Sequence, residues 1–283
     1  MDGILLVDKD VNFTSFDVCN IVKRNLHVSK VGHSGTLDPF ATGLLLITVG
    51  KATKVNQFLE TLDKEYIATL CLGKRTSTLD TEGEVIEEQE IKIFDENEII
   101  NAFTSLVGEL EQVPPMFSAL KVNGKKLYEY AREGKEIERK VRKITIFSLE
   151  LIEYHHPFIT FKVHCSKGTY VRTLGEQIAE KLNTIGYLTY LRRIKVGNFD
   201  VNDANTICEV KNNENIRRIP ILEGLKHFNS IIVNDKLKLD IMNGKKIKLN
   251  KDGDILAITQ DNQALAVLEK NELGLYKVKR GLW

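Results

Sequence analysis

The stretch "GHSGTLDPFATGLLLITVG", residues 32–50, joins a glycine-rich turn to a long apolar run and carries one acidic residue, Asp38. Pro39 follows, and its ring pushes the preceding residue towards extended backbone. The run from Gly43 to Val49 has the length and unbroken apolar character of a strand that is buried on both faces. An Asp–Pro pair alone usually marks an ordinary turn. The sequence therefore places a lone carboxylate at the mouth of a buried strand.

The composition is that of an ordinary globular protein. The residues are 42% hydrophobic and 28% charged, with a net charge of +1. The length of 283 residues allows one large domain plus a small one, or two medium ones. The four cysteines are scattered without metal-ligand spacing, so we expect neither a zinc site nor a disulfide framework. There is no signal-peptide pattern and no run of about 20 apolar residues. We therefore expect a cytoplasmic protein that does not bind a membrane.

Charge is distributed unevenly along the chain. Residues 80–111 hold eleven acids and a single base, Lys92, whereas residues 121–143 hold nine bases against four acids. Such a distribution permits a basic face on a nearly neutral molecule, which an anionic polymer would require. A solvated helix face is the plainer interpretation of the same pattern.

Strands and helices alternate along the first two hundred residues, which indicates an α+β fold on a mixed sheet. Hydrophobic periodicity and capping signals predict helices over residues 14–26, 51–62, 95–107, 125–133 and 168–183. Apolar runs and alternating patterns predict strands at residues 3–7, 43–49, 66–72, 85–86, 143–153, 158–164 and 187–197.

The texture changes near residue 229. A polar stretch over 202–218 and a linking helix near 220–227 precede short strand-like segments that include residues 245–249, 254–259 and 264–270. We therefore expect two domains, a larger one over residues 1–228 and a small β-rich one over residues 229–283.

Two common catalytic motifs are absent. The segment "TVGKAT" contains a Gly–Lys pair, but Leu45 and Ala52 stand where a phosphate-binding Walker loop needs Gly and Ser or Thr. The chain also lacks the His-Glu-x-x-His pattern of zinc hydrolases.

The stretch around Asp38 resembles a family motif. "GHSGTLDPFATGLL" meets every fixed position of G-H-x-G-x-L-D-P-x-A-T-G-x-L, the motif of the catalytic aspartate in the TruB family of pseudouridine synthases. Further segments resemble family motifs in the same order, from Gly3 to about Phe199: "GILLVDK", "DKEYIATLCLG", "VPPMFSALKVNGKKLYEYAREG", "CSKGTYVRTLGEQI" and "YLRRIKVGNF". Two positions depart from the pattern, since Asp10 replaces a proline and Ser77 replaces a carboxylate.

This resemblance implies a fold and a reaction. The fold would be a pseudouridine synthase catalytic domain with a mixed, largely antiparallel sheet, followed by a small PUA-like, RNA-binding domain. The reaction would convert uridine 55 in the T-loop of tRNA to pseudouridine on a flipped-out base. It involves no redox change, so we expect no cofactor and no metal. The partner would be the T-arm of tRNA, with no obligatory protein partner.

The resemblance also assigns residues to the active site. Asp38 would be the catalytic carboxylate, acting either by attack on a carbon or by removal of a ribose proton. Arg172 would form an ion pair with Asp38, because a buried carboxylate stays charged only beside a cation.

The resemblance implies that four more residues contact the substrate. Tyr66 would stack on the uracil, and its hydroxyl could serve a proton transfer at C5. Tyr170 and Leu191 would line the uracil pocket, and His33 would wedge into the RNA loop. Strand propensity alone would equally place Tyr66 and Leu191 in an apolar core.

Extruding a nucleotide costs a few kcal/mol, which contacts between basic side chains and phosphates would offset. The candidates for such contacts are Lys9, Lys54, Arg192, Arg193 and the basic segment 121–143.

Three other functions fit parts of this pattern. An RNA-binding protein that remodels tRNA would share the basic surface without needing Asp38 as a catalyst. A guide-RNA-directed synthase shares much of the motif set but depends on partner proteins. A nucleoside glycosidase would need two acids flanking the bond, and the Asp38 motif offers one.

Overall fold

The computed structural model describes residues 2–283. The strands in chain order are β1 (Gly3–Lys9), β2 (Val31–Ser34), β3 (Thr42–Val49), β4 (Lys64–Leu72), β5 (Lys74–Thr76), β6 (Val85–Glu88), β7 (Gly108–Gln112), β8 (Lys121–Val122), β9 (Lys125–Lys126), β10 (Arg142–His155), β11 (Phe158–Cys165), β12 (Gly186–Val196), β13 (Phe199–Asp200), β14 (Asn205–Thr206), β15 (Arg218–Ile219), β16 (Asn229–Val233), β17 (Ile255–Thr259), β18 (Ala264–Lys270) and β19 (Tyr276–Gly281). The α-helices are α1 (Ser15–Asn25), α2 (Asn56–Leu59), α3 (Glu96–Thr104), α4 (Leu127–Arg132), α5 (Val171–Lys181), α6 (Ile207–Asn212), α7 (Ile221–Gly224) and α8 (Asp235–Met242).

One large sheet organises most of the chain. Its main path runs β14-β1-β3-β12-β4-β11-β10-β7, with β2, β13 and β15 paired to its members. The β1–β14 and β3–β12 pairs are parallel, and the other pairs of this sheet are antiparallel. The predicted α+β fold on a mixed, largely antiparallel sheet is confirmed.

Strand β3 lies inside this sheet and is buried along its apolar run, as its sequence predicts. Leu44, Leu45, Leu46, Ile47 and Val49 are each 0% exposed. Burial on both faces explains why the run does not alternate between apolar and polar residues.

Each face of the sheet carries its own apolar cluster. Leu45 and Ile47 of β3 point into a cluster with α1, α3 and α5, whereas Leu44 and Leu46 point into a second cluster with α2. Helices α1 and α3 begin at capping boxes, formed by Thr14 with Asp17 and by Asp95 with Glu98, as the sequence indicates for the latter. Helices α1, α3 and α5 therefore cover the face of the large sheet on which Leu45 and Ile47 lie.

Residues 229–281 form a second sheet of order β16-β17-β18-β19, with β16 and β17 parallel. Leu256, Val267 and Leu282 of this unit belong to the same apolar cluster as Ile4 and Leu44 of the large sheet. The C-terminal strands fit a PUA-like domain. Their buried apolar side chains pack on the face of the large sheet that carries Leu44 and Leu46.

The local structure differs from the sequence prediction in several elements. Residues 50–55 form a 3₁₀ turn before the short α2, where one helix over 51–62 is expected. Helix α3 ends at Thr104, and Gly108 begins β7 instead of ending the helix. The expected strand at 245–249 is reduced to a single bridge at Ile247. Helix α8 has no counterpart in the prediction, because its Lys-rich sequence shows a weak apolar stripe.

The four cysteines are free thiols, of which Cys19, Cys71 and Cys165 are buried and Cys208 is exposed on α6. Burial raises the pKa of Cys19 to about 11 and that of Cys165 to about 12. Within residues 2–283 no helix combines the length and apolar character needed to cross a membrane. Nor do three or more His, Cys, Asp or Glu side chains of these residues group as a metal ion would need.

Candidate active site

Asp38 and Arg172 form the predicted ion pair. The Nε atom of Arg172 lies 2.9 Å from Oδ2 of Asp38. Asp38 stands in the loop between β2 and β3, and Arg172 is the second residue of α5. The arginine side chain is 3% exposed and the aspartate side chain 32%, so the pair opens to solvent only on the side of the carboxylate.

The Arg172 guanidinium is held by four acceptors. Nη1 donates to the Thr78 carbonyl at 2.8 Å and lies 3.1 Å from Oδ2 of Asp80, and Nη2 donates to the Phe117 carbonyl at 2.7 Å. Asp80 is 1% exposed and also accepts hydrogen bonds from the Thr78 hydroxyl and the Glu82 amide. Arg172 therefore cannot swing away from Asp38 without breaking a buried network.

The electrostatics of Asp38 are balanced between opposing influences. Burial raises the pKa of Asp38, and the negative charge of Asp80 acts in the same direction. The positive charges of Arg172 and Lys9 lower that pKa in opposition. The net pKa is raised, so the carboxylate is a stronger base than an ordinary aspartate while it remains paired with a cation.

Hydrogen bonds hold the residues on both sides of Asp38. The Ser15 hydroxyl accepts a hydrogen bond from the Leu37 amide at 2.9 Å and lies 3.2 Å from the Leu37 carbonyl. The Lys9 ammonium donates to the Pro39 carbonyl at 3.2 Å and to the Phe13 carbonyl at 2.7 Å. The start of α1 and the end of β1 thus hold Asp38 in place from its two neighbours.

A cavity of about 800 Å³ opens in front of this pair. The sequence-predicted residues that line it are His33, Asp38, Tyr66, Tyr170, Arg172 and Leu191. The structure therefore gathers the proposed catalytic residue and all five proposed substrate-binding residues around one space. A second cavity of about 730 Å³ shares His33, Asp38 and Arg172 with the first, so the ion pair stands between the two.

Elements from distant parts of the sequence present these side chains. Tyr66 lies on β4 directly opposite Arg193 of the neighbouring β12. Burial raises the pKa of the Tyr66 phenol, and the positive charge of Arg193 opposes that rise. Tyr170 is the residue before α5, where its amide donates to Oε1 of Gln112 at 3.0 Å. Side chains from β2, β4 and β12, from the Asp38 loop and from the start of α5 thus converge on one cavity.

His33 lies on β2 between the two cavities and is half-buried. Its Nδ1 atom is buried and has no hydrogen-bond partner among the described residues. Burial lowers the pKa of His33, which favours the neutral ring over a cation.

Two of the four phosphate-contact candidates are buried, which corrects that prediction. Lys9 is 0% exposed and its ammonium donates to backbone carbonyls, and Arg193 is 1% exposed. Burial also lowers the pKa of Lys9 to about 8. Lys9 therefore has a structural role in the Asp38 loop, and neither side chain presents its charge to the outer surface.

The other two candidates stay near the surface. Arg192 makes a two-pronged ion pair with Asp8, at 2.6 and 3.0 Å. Lys54 donates to the carbonyl of Trp283 at 2.6 Å. The role of both in phosphate binding stays a prediction.

Asp80 is the site residue that sequence reasoning missed. It stands at the start of the acidic run, where it counts as one more surface charge. The available signal was its spacing from Thr76 and Thr78, whose hydroxyls lie against Asp80 in a tight turn. Ser77, which departs from the family pattern, is exposed in the same turn.

A comparison of the sequence with protein families decides the relationship. Residues 23–171 match the TruB family pseudouridylate synthase N-terminal domain. The chain belongs to the TruB family of pseudouridylate synthases. The matched residues include the Asp38 loop and β4 and end at Val171, the residue before Arg172, and they supply most of the residues that line the cavity.

Whole-chain relatives in the TruB family agree with this assignment. The chain is 46% identical to tRNA pseudouridine synthase B of Clostridium kluyveri over 250 residues, which cover 88% of this chain and 86% of that protein. It is 39% identical to tRNA pseudouridine synthase B of Clostridium tetani over 287 residues, covering 99% of each. The second comparison extends the likeness through the C-terminal sheet.

Among solved structures, the chain is similar to one in the crystal structure of a Cbf5–Nop10–Gar1 complex. The TM-score is 0.75 at 21% identity, and the match covers 99% of this chain and 85% of that one. The likeness shows that the TruB-family chain shares its overall fold, sheet and C-terminal unit included, with that protein.

Proposed function

We propose that this chain isomerises a uridine of tRNA to pseudouridine, at position 55 of the T-loop, with Asp38 as the catalytic group. The observation that carries the proposal is the Asp38–Arg172 ion pair in the wall of a cavity that can admit a nucleobase. Family membership supports the reaction, and the names of the relatives support tRNA as the substrate.

The arrangement suits the chemistry that pseudouridine formation needs. The bond between ribose C1′ and uracil N1 breaks, the base turns, and a new bond joins C1′ to C5. Asp38 acts on the sugar, either by bonding to a carbon or by taking a ribose proton. Its raised pKa favours proton transfer, while Arg172 keeps it oriented and charged.

The cavity can receive a base only if the nucleotide leaves its stack, because C1′ and C5 are otherwise hidden. Tyr66 offers an aromatic face and Leu191 an apolar wall for the extruded uracil. The second cavity extends to the basic segment 121–143 through Lys126 and Arg132, whose charges stand over the Tyr128 ring at 5.3 and 5.4 Å. Basic and aromatic groups in this order suit the RNA strand that flanks the target.

The test is to incubate the purified chain, with no other protein, with an unmodified tRNA transcript and to map pseudouridine by sequencing. We expect one modified position in the transcript, nucleotide 55. Asp38→Asn should abolish the product while the Kd for tRNA changes less than about threefold, because the substitution leaves the shape of the cavity intact.

Asp203→Asn is the matched control, since it makes the same chemical change at an exposed residue paired with Arg217. It should keep wild-type activity. Pseudouridine formation by Asp38→Asn would contradict the proposal, and so would tRNA binding by the wild type without product, which would favour an RNA-remodelling protein.

A further inference from the structure

Arg193 is a buried cation without a counter-ion. It is 1% exposed, and among the described residues no carboxylate oxygen lies within 4.0 Å of its guanidinium. Burial lowers the pKa values of Lys64 and Lys9, and the positive charge of Arg193 lowers both further. Burying an unpaired charge is costly, so such a group is a candidate for function.

Two of the three guanidinium nitrogens of Arg193 are committed to the protein. Nε donates to the Leu44 carbonyl at 2.7 Å, and Nη2 donates to the Gly35 carbonyl at 3.1 Å. These bonds fix the plane of the guanidinium between β3 and the Asp38 loop. Nη1 has neither a carbonyl nor a carboxylate partner. The guanidinium also lies within hydrogen-bond reach of the Tyr66 hydroxyl, and the remaining donors of the five N–H groups of an arginine are open to a ligand in the cavity.

Arg193 lies in the wall of the cavity that the proposed function gives to the uracil. It lines the 800 Å³ cavity together with Tyr66 and Leu191. Tyr66 is its cross-strand partner on β4, and Leu191 is two residues earlier on β12. Asp38 faces the same cavity, but its carboxylate is bound to Arg172. The sugar of a bound nucleotide would thus meet Asp38, which is paired with Arg172, and the base would meet Arg193.

From this geometry we propose that Arg193 is a catalytic residue that binds the uracil and stabilises the negative charge on the detached base. The proposal rests on the proposed function. When the C1′–N1 bond breaks, its electron pair stays with the base and spreads over N1, O2 and O4. Both routes open to Asp38 balance this charge: Asp38 bonds to C1′, or it takes the C2′ proton while a C1′–C2′ double bond forms.

The guanidinium would therefore act on the leaving group, and Asp38 on the sugar. A fixed donor is most effective where charge develops in a water-poor site and no reorganisation is needed. Nη1 is such a donor, since the other two nitrogens hold it still. C5 then bonds to C1′ while the bond from C1′ to Asp38 breaks, or while Asp38 returns the proton to C2′, and this consumes the negative charge of the base. The proton on C5 is lost and N1 takes up a proton, so the product base is neutral and the charge of Arg193 no longer retains it.

The test compares two substrates in single-turnover reactions with saturating enzyme. One tRNA carries uridine at the target and the other carries 5-fluorouridine, whose base is a more stable anion. We expect Arg193→Gln to slow loss of the target uridine by about 100-fold. The same variant should slow loss of 5-fluorouridine at least about tenfold less, because a better leaving group needs less stabilisation. A merely structural role would slow both substrates equally.

Lys195→Gln is the matched control, because it removes a cation from the same strand at a half-exposed position. It should leave both rates unchanged. Where Arg193→Gln fails to fold, Arg193→Lys provides the comparison, with a smaller loss on uridine and again a smaller one on 5-fluorouridine. Equal losses on both substrates, or none, would overturn the proposal. If the wild type formed no pseudouridine, the proposed function itself would fail, which is a distinct result.

Discussion

The ionised carboxylate of Asp38 is needed for the reaction but lowers the stability of the folded protein. Its surroundings raise its pKa by burial, yet the reaction needs the ionised form. At neutral pH the folded protein therefore holds a charge that is more favourable in the unfolded chain. Arg172 reduces this cost without removing it.

Linkage gives this cost a pH dependence. Because the pKa of Asp38 is raised above the ordinary value of 3.8, the folded state binds more protons and stability from this group falls as pH rises. We expect Asp38→Asn to increase the free energy of unfolding at pH 7, with the gain vanishing below about pH 4. Urea denaturation at several pH values measures this. A variant that is less stable than the wild type at pH 7 would show that the ion pair outweighs burial.

Asp80 acts on Asp38 through Arg172 and through its own charge. Its negative charge raises the pKa of Asp38, so Asp80→Asn should shift the acidic limb of the pH–rate profile to lower pH. The loss of a buried partner of Arg172 should also lower the free energy of unfolding by about 3 kcal/mol. Asp254→Asn, which frees the surface residue Lys279, serves as the control. An unchanged acidic limb would contradict the electrostatic coupling.

At the scale of elements, β3 and β12 come close enough to exclude any side chain at Gly43. A Cβ there would stand 2.3 Å from the Arg193 carbonyl oxygen, and φ is +102°. This approach connects the strand after the Asp38 loop to the strand that bears Leu191 and Arg193. The spacing of the two sides of the cavity therefore depends on a single glycine.

Gly43→Ala should cost about 3 kcal/mol or more in the free energy of unfolding, since overpacking adds to backbone strain. Gly108→Ala separates the two effects, because Gly108 has a φ of +114° but no atom within 4 Å of the added Cβ. That control should cost only about 1–2 kcal/mol, the strain alone. Equal losses in thermal or chemical denaturation would show that the close approach has no energetic weight.

At the scale of the whole molecule, the C-terminal sheet and the large sheet share one apolar cluster. Leu282 is 4% exposed in that cluster, whereas Leu273 of the same unit is 78% exposed. Leu282→Ala should lower the free energy of unfolding by about 2–4 kcal/mol, and Leu273→Ala should change it by less than about 0.5 kcal/mol. Both variants should unfold in one transition, as judged by fluorescence and circular dichroism. Two separate transitions would contradict the coupling of the sheets.

The sequence predicts the parts of this molecule that follow local rules or a continuous motif. The apolar run of β3 was accessible because it lies within one continuous stretch, and the Asp38–Arg172 pair was accessible because each of the two residues stands in a motif of the family that the sequence resembles. The burial of Lys9 and Arg193 was not, because a sequence does not show which cation donates to backbone carbonyls. Asp80 was missed because nothing in the sequence connects it to Arg172, ninety-two residues away, until the fold joins the two side chains. Helix α8 lacks the periodicity on which a prediction depends.

The arrangement of the thiols makes the protein convenient for optical measurements. Cys208 is the exposed cysteine, while the other three are buried. A maleimide dye added to the native protein should therefore attach at one defined position on α6, outside the groups that line the cavities. Fluorescence from that probe could follow the arrival and departure of RNA in real time without an engineered cysteine.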